Sequence, residues 1–199
     1  MKKLFYFVAA VCSVALVACG GGETEPLAVS HDPSNKNVVI EEFTGVNCGY
    51  CPDGHEIVNG IIKANPGRAF GINIHVGPYA SNVYTTEFGN ALNAQAEVDG
   101  YPAGTVNRHV FMGGTTCLGR GQFASAAKGQ LAQPSTLNLN ARATINKPTR
   151  HLKIEVAGYY TADANSENGA NKLNIAIIQD NVIGKQANYG PYNEEYITE

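Results

Sequence analysis

Two cysteines, Cys48 and Cys51, stand three apart with only Gly49 and Tyr50 between them, and Pro52 and Asp53 follow at once. Thiols at that spacing exchange with disulfides, supply half of a metal site, or clip a loop shut. A thiol attacks only as thiolate, so its pKa must fall from about 8.5 toward neutrality. A helix N-terminus lowers it, because unpaired amides and the macrodipole favour negative charge there. The surrounding sequence supplies such an end. Residues 37–43 (NVVIEEF) form a short β-branched run that stops at Thr44-Gly45, the pattern of a buried strand. Pro52 and Asp53 suit a first helical turn. Ile57, Val58, Ile61 and Ile62 share one helical face, and Asn65-Pro66-Gly67 ends it. In this arrangement Cys48 lies exposed at the helix tip and attacks, while Cys51 sits one turn in and resolves.

The other chemistries fit less well. Zinc needs two further ligands; His55 and Cys117 are the candidates, neither has a paired-ligand spacing, and no metal is expected. Haem attachment needs histidine directly after the second cysteine, where Pro52 stands. His75 alternates with apolar neighbours and reads as a partly buried structural residue. His55 is expected on the exposed or half-exposed side of the first helix, where its cation would favour a Cys48 thiolate. Cys117 is an odd thiol in a loop, either a small buried residue or a partner between molecules. Gly119-Arg120-Gly121 is no phosphate loop. Tyr159, Tyr160, Tyr189, Tyr192 and Tyr196 carry no interleaved basic residues and read as sheet-face and tail aromatics. The formal charge of −3 comes with no basic patch, which excludes nucleic acid as a partner. No cofactor is called for.

The elements around the pair follow in alternation. Residues 69–76 (AFGINIHV) read as a second strand and 85–98 as a helix. Tyr101-Pro102-Ala103-Gly104 leads into a third strand over 105–111, and a helix covers 121–132. The order is strand, Cys pair, helix, strand, helix, proline, strand, helix: an α/β domain over residues 37–133. From Pro134 the pattern changes to period two. Leu137, Leu139, Ala141, Ala143 and Ile145 alternate with polar residues, as do Leu152, Ile154, Val156 and Tyr160, and then Leu173, Ile175 and Ile177. This predicts antiparallel strands with one buried face, turning at Lys147-Pro148-Thr149 and over 165–171. Residues 134–199 are thus a β-rich C-terminal module, an incomplete sandwich at most.

Residues 1–18 read as a targeting segment: Lys2 and Lys3, then an apolar run too short for a stable membrane anchor. Leu16-Val17-Ala18-Cys19 resembles the bacterial lipobox, which implies cleavage before Cys19, loss of Cys12 and lipidation of Cys19. Loss of Lys2 and Lys3 leaves the mature chain more negative. Acyl chains contribute about 0.8 kcal/mol per buried methylene. Residues 19–36, opening Gly20-Gly21-Gly22-Glu23, have the composition of a flexible tether. The acids just after Cys19 resemble a surface-export signal of Bacteroides-type lipoproteins, so the expected location is the outer membrane or cell surface, with the periplasmic side as the alternative. Export places the cysteines where a disulfide persists.

The segment around the pair resembles the thioredoxin superfamily. Strand, Cys48-Gly49-Tyr50-Cys51 and helix match it. Glu42, six residues before Cys48, stands where the family has a buried acid that handles the second cysteine's proton. Tyr101-Pro102 stands where the family has a cis-proline facing the disulfide and offering backbone to a substrate peptide. The Gly-Tyr dipeptide, with His55 and Glu56 beyond it, is similar to the periplasmic disulfide isomerases. The long stretch between Cys51 and Pro102 departs from the pattern and implies an inserted helix and loop. The mature chain as a whole resembles the twenty-eight-kilodalton outer-membrane protein family of Bacteroides-type bacteria, through Glu41-Glu42-Phe43-Thr44-Gly45, the Cys pair and Gly100 to Arg108 (GYPAGTVNR). Members tend to be longer at the C-terminus, which implies truncation here. The resemblance implies a lipid-anchored thiol–disulfide oxidoreductase or isomerase acting on thiols or disulfides of exported proteins, with Cys48, Cys51 and Glu42 catalytic, Tyr101 and Pro102 at the substrate, and the redox partner unspecified. The alternative is a non-catalytic adhesin or receptor module with a structural Cys48–Cys51 disulfide.

Overall fold

The computed structural model describes residues 25–163 and 172–189. The targeting segment with Cys12 and Cys19, the expected turn at 165–171, Tyr192 and Tyr196 lie outside the described residues. Among the described residues no helix is long and apolar enough to cross a membrane.

Strand β1 (Ser34–Asn35) precedes the central strand β2 (Val38–Thr44). Helix α1 (Cys51–Ala64) follows the Cys loop, then β3 (Ala69–His75), α2 (Glu87–Ala96), β4 (Ala103–Val106), β5 (Leu118–Gly119) and α3 (Phe123–Leu131). The strand order is β3-β2-β4-β5, parallel between β2 and β3 and antiparallel across the other two pairs. The parallel step requires a crossover, and α1 provides it. Helices cover both faces of the sheet, so every residue of β2 except Val39 is buried. This is a thioredoxin-like α/β domain.

Period two sends Val38 and Ile40 to the face shared with Val58 and Ile61 of α1 and with Phe123, Ala126, Ala127 and Leu131 of α3. Phe43 points the other way, to Ile74, Val76 and Ala96, with Leu92 of α2 against them. Gly71 of β3 lets α1 close on the sheet, since a Cβ there would stand 2.8 Å from Val58. Thr86 caps α2 by accepting from the Gly89 amide at 2.9 Å.

The third strand is shorter than the sequence predicts. It stops at Val106 because Asn107 and Arg108 take left-handed backbone angles, φ 54° and 47°. Asn107 then turns back on β2: its Oδ1 accepts from the Val39 amide at 2.8 Å and its Nδ2 donates to the Asn37 carbonyl at 3.0 Å. Arg108 reaches Glu41 on β2 through Nε at 2.8 Å and Nη2 at 2.5 Å, and Thr105 donates to the same carboxylate at 2.8 Å. The carboxylate holds the Arg108 guanidinium above its ordinary pKa, against the opposing effect of burial. The GTVNR run is therefore a strand end plus a clamp on β2.

After β6 (Pro134–Ser135), which pairs with β1, come β7 (Leu137–Asn146) and β8 (His151–Tyr160), antiparallel with Leu137 opposite Tyr160 and Asn146 opposite His151. The β-rich module forms, but as a two-stranded ribbon. Leu139, Ile145 and Leu152 are exposed, so the buried face expected from the alternation is not formed among the described residues. The third alternating run is corrected outright: residues 172–180 form no strand, and Leu173, Ile175 and Ile177 are exposed. Period two says which way side chains would face; it does not supply a strand edge to pair with. Nor does tether composition keep residues 25–36 off the fold. Asn138 donates to the Ser30 and Asp32 carbonyls, each at 2.8 Å, Asn140 donates to that of Ala28, and His31 stacks on Tyr159 at 3.7 Å.

Phe123 is fully buried between α1, α3 and the sheet. Phe123→Ala should cost about 3–5 kcal/mol, read as a lowered urea midpoint at unchanged m-value.

Candidate functional site

The site is built where β2 ends and α1 begins. The Val76 amide donates to the Thr44 carbonyl at 3.0 Å, which carries the sheet to its last residue. At Gly45 the chain passes against the 79–80 loop so closely that a Cβ would stand 2.5 Å from the Tyr79 carbonyl carbon. The Asn47 amide donates to the Tyr79 carbonyl at 2.9 Å. The loop then turns on itself, Cys48 N–H donating to the Gly45 carbonyl at 2.9 Å and Cys51 N–H to the Cys48 carbonyl at 3.2 Å. Cys48 and Cys51 are joined as a disulfide with their Cα atoms 5.4 Å apart. Cys51 is the first residue of α1, with Pro52 in its first turn, so the bond lies on the helix N-terminus, where a released thiolate is favoured. Asp53 in that first turn is matched by Arg120, whose Nε ion-pairs with its carboxylate and whose guanidinium lies 5.7 Å from the Tyr50 ring centre.

Glu42 is fully buried on β2, on the α1 side of the sheet. It faces Gly54, where a Cβ would stand 2.1 Å from Glu42 Oε1 and 3.0 Å from Cβ and Cγ of Pro102. The carboxylate, the first turn of α1 and Pro102 thus meet at one glycine three residues after Cys51. The Tyr101-Pro102 bond is cis. The Tyr101 phenol turns to α2, donating to Asn93 Oδ1 at 2.8 Å beside Tyr79, and burial pushes its pKa up. Gly77, at φ 76°, is required here because a Cβ would stand 2.1 Å from the Tyr101 hydroxyl.

Two expectations are corrected. Cys48 is not exposed at the helix tip: only 3% of it is accessible. The Gln186 side chain donates to its carbonyl at 3.1 Å, so the C-terminal segment, whose Tyr189 reads as a tail aromatic, lies on the loop. His55 is buried, not on the exposed or half-exposed side of α1, and its Nε2 lies 2.9 Å from Thr44 Oγ1. It sits one turn after Cys51 and one turn before Val58, on the stripe that packs against the sheet. His75 is buried at the end of β3 beside Tyr84. Cys117 is a free, half-buried thiol whose pKa is raised by burial first and by Asp99 second. Among the described residues no cluster of three metal-ligating side chains occurs.

Gly54 is the site residue that sequence reasoning missed. Its signal was present: a glycine in the first turn of a helix, where it costs stability unless space demands it. Gln186 gave no such signal, since a glutamine in a polar run looks solvated.

No family model and no curated protein matches the chain. Among solved structures it is similar to HBP35 of Porphyromonas gingivalis, at 23% identity over 56% of this chain and 38% of that one, with a TM-score of 0.46. It is also similar to a structural-genomics target from Agrobacterium tumefaciens, at 11% identity over 64% of this chain and 80% of that one, with a TM-score of 0.35.

Two outcomes are expected. Gly54→Ala should destabilise by about 1–3 kcal/mol through overpacking, and combining it with Glu42→Ala should recover part of that loss, because the new methyl enters space the carboxylate vacates. Denaturant unfolding of the two single variants and the double variant measures this coupling. Cys117 should alkylate at pH 8.5 more slowly in the folded protein than in urea, since its raised pKa keeps it a neutral thiol. Mass spectrometry of iodoacetamide-treated protein reads the rates.

Proposed function

We propose that this chain is an exported, lipid-anchored thiol–disulfide oxidoreductase or isomerase of the twenty-eight-kilodalton outer-membrane type, acting on exported proteins through Cys48 and Cys51. The observation that carries the proposal is the meeting of three groups at Gly54: the helix that starts at Cys51, the buried Glu42 carboxylate and Pro102. In the oxidising direction a client thiolate attacks Cys48 Sγ, the Cys48–Cys51 bond breaks, and Cys51 departs as a thiolate that takes up a proton. A second client thiolate attacks the client sulfur of the mixed disulfide and releases Cys48. The client gains a disulfide and the pair is left as a dithiol. The reverse sequence reduces, and both together isomerise. Glu42 acts as the proton carrier for Cys51, Pro102 with Tyr101 shapes the client groove, and an external dithiol or disulfide of the same chemical class resets the pair. Lipid on Cys19 holds the domain at the outer membrane or cell surface.

The low accessibility of Cys48 favours a second reading, a surface module whose disulfide is structural. The redox potential separates them. Thioredoxin lies at about −270 mV and the strongest periplasmic oxidant near −120 mV. Tyr50 keeps the amide that a proline at this position lacks. One more charge-assisted hydrogen bond to a thiolate is worth about 1.5–3 kcal/mol, and about 1.4 kcal/mol corresponds to 30 mV. The couple should therefore lie about 30–60 mV above thioredoxin, at roughly −240 to −210 mV, and Tyr50→Pro should make it more reducing. Equilibration with glutathione buffers and thiol counting measures both. A potential below about −300 mV, the range of structural disulfides, leaves only the module. Cys51→Ala should trap client proteins as mixed disulfides through Cys48, and Glu42→Gln should slow their resolution.

The anchor has its own test. Cys19→Ser should abolish detergent partitioning and leave the leader uncut or the protein soluble. A Cys19→Ser protein that stays in the membrane with a normally trimmed N-terminus would refute the lipid.

A further inference from the structure

The loop that carries the disulfide presents a row of main-chain acceptors, and the chain's own C-terminal segment is bound to them. Ala187 N–H donates to the Val46 carbonyl and Tyr189 N–H to the Gly49 carbonyl, both at 2.8 Å. Two alternate residues thus donate to the turn, as alternate residues of a strand do to an edge. Just before these two bonds the chain buries one polar side chain, Gln186, which is 7% accessible. Its carboxamide nitrogen lies within hydrogen-bond distance of two loop carbonyls, Gly45 at 3.2 Å and Cys48 at 3.1 Å, and of the neighbouring Ala187 carbonyl at 3.1 Å. The Tyr189 ring lies over Gly49: a Cβ there would stand 2.2 Å from Tyr189 Cδ2. The ring also meets Tyr50 edge-on at 5.7 Å. The Gly between the cysteines is thus a seat for an aromatic ring, and the cysteine before it is nearly inaccessible and bound through its carbonyl by the segment.

We propose that the Gly45–Gly49 loop is a peptide-binding edge selective for an extended Gln-x-x-aromatic segment, and that Gln186–Tyr189 occupies it as an internal competitor. A protein segment of the same chemistry displaces the competitor and so gains access to Cys48; this last step rests on the exchange activity proposed above. The selectivity follows from the acceptors. Two carbonyls that converge on one side chain take an amide NH2, which donates twice, and reject a carboxylate, which only accepts. The two main-chain bonds carry no sequence information, so glutamine and the ring supply it.

The test uses the full chain carrying Cys12→Ser, Cys19→Ser and Cys117→Ser, so that only the pair reports. Dithiothreitol reduces the bond when its thiolate attacks Cys48, Cys51 leaves, and the second dithiothreitol thiol closes the reagent into its cyclic disulfide and frees Cys48. This readout needs no client and no particular potential. Gln186→Glu and Tyr189→Ala should each speed reduction about tenfold, the scale of losing one or two net hydrogen bonds or their packing. A synthetic peptide of residues 183–189 should slow reduction of the Gln186→Glu protein back toward the parent rate. The same peptide with glutamate in place of its glutamine should not. Unchanged rates in both variants, or equal protection by both peptides, overturn the binding edge. If the rates respond as expected while Cys51→Ala traps no client, the edge stands and the exchange activity falls; trapping with unresponsive rates gives the converse.

Discussion

Strand β2 is buried on both faces, and it carries two adjacent carboxylates. Neither can be left as a bare charge in that environment, because a buried ion without partners costs several kcal/mol or more. Period two separates them. Glu41 faces the β4 side, where Thr105 and the forked guanidinium of Arg108 meet it. Glu42 faces α1, at the point where Gly54 leaves room for it. Much of the domain follows from these two placements: the early end of β4, the left-handed Asn107-Arg108 turn, and the glycine in the first turn of α1.

The same strand decides where the cysteines lie. Because β2 is pinned on both edges, by β3 in parallel and β4 antiparallel, its last residue is held firmly, and the Gly45–Tyr50 loop starts from a rigid point. A loop anchored at one end by a central strand and at the other by a helix first turn has little freedom to vary. The backbone contacts to Tyr79 hold its inner side. Its outward-facing carbonyls are left to whatever donors the rest of the chain brings, and residues 186–189 bring them.

This gives the disulfide two unlike environments. On the helix side the bond lies at the N-terminus of α1, three residues before the glycine where Glu42 and Pro102 meet. On the loop side a segment is held to the Gly45–Gly49 carbonyls through a few hydrogen bonds and one ring contact, of which Tyr189 remains largely exposed. Contacts of that kind open at far lower free energy than a packed core.

Much of this was legible in the residues. The β-branched run at 37–43, Pro52 and Asp53 after the pair, and the stripe of Ile57, Val58 and Ile61 determine strand, loop and helix, because these are local preferences and a single period. Tyr101-Pro102 and Glu42 were found by resemblance, and the fold places both around Gly54. What the sequence could not determine depends on partners distant in the chain. Residues 105–111 look like a strand, but Asn107 and Arg108 turn away because β2 offers them better hydrogen bonds than an extended continuation does. Leu173, Ile175 and Ile177 alternate as a strand would, yet a strand needs an edge, and among the described residues none is offered. His55 looked half-exposed until the sheet closed over it. Gln186 and Tyr189 looked like tail until the loop carbonyls received them. The sequence by itself determined the strand, loop and helix around the Cys pair, because those rest on local preferences and one period. Only the tertiary structure decided that both cysteines of the pair are buried, because accessibility is set by whatever else packs around them.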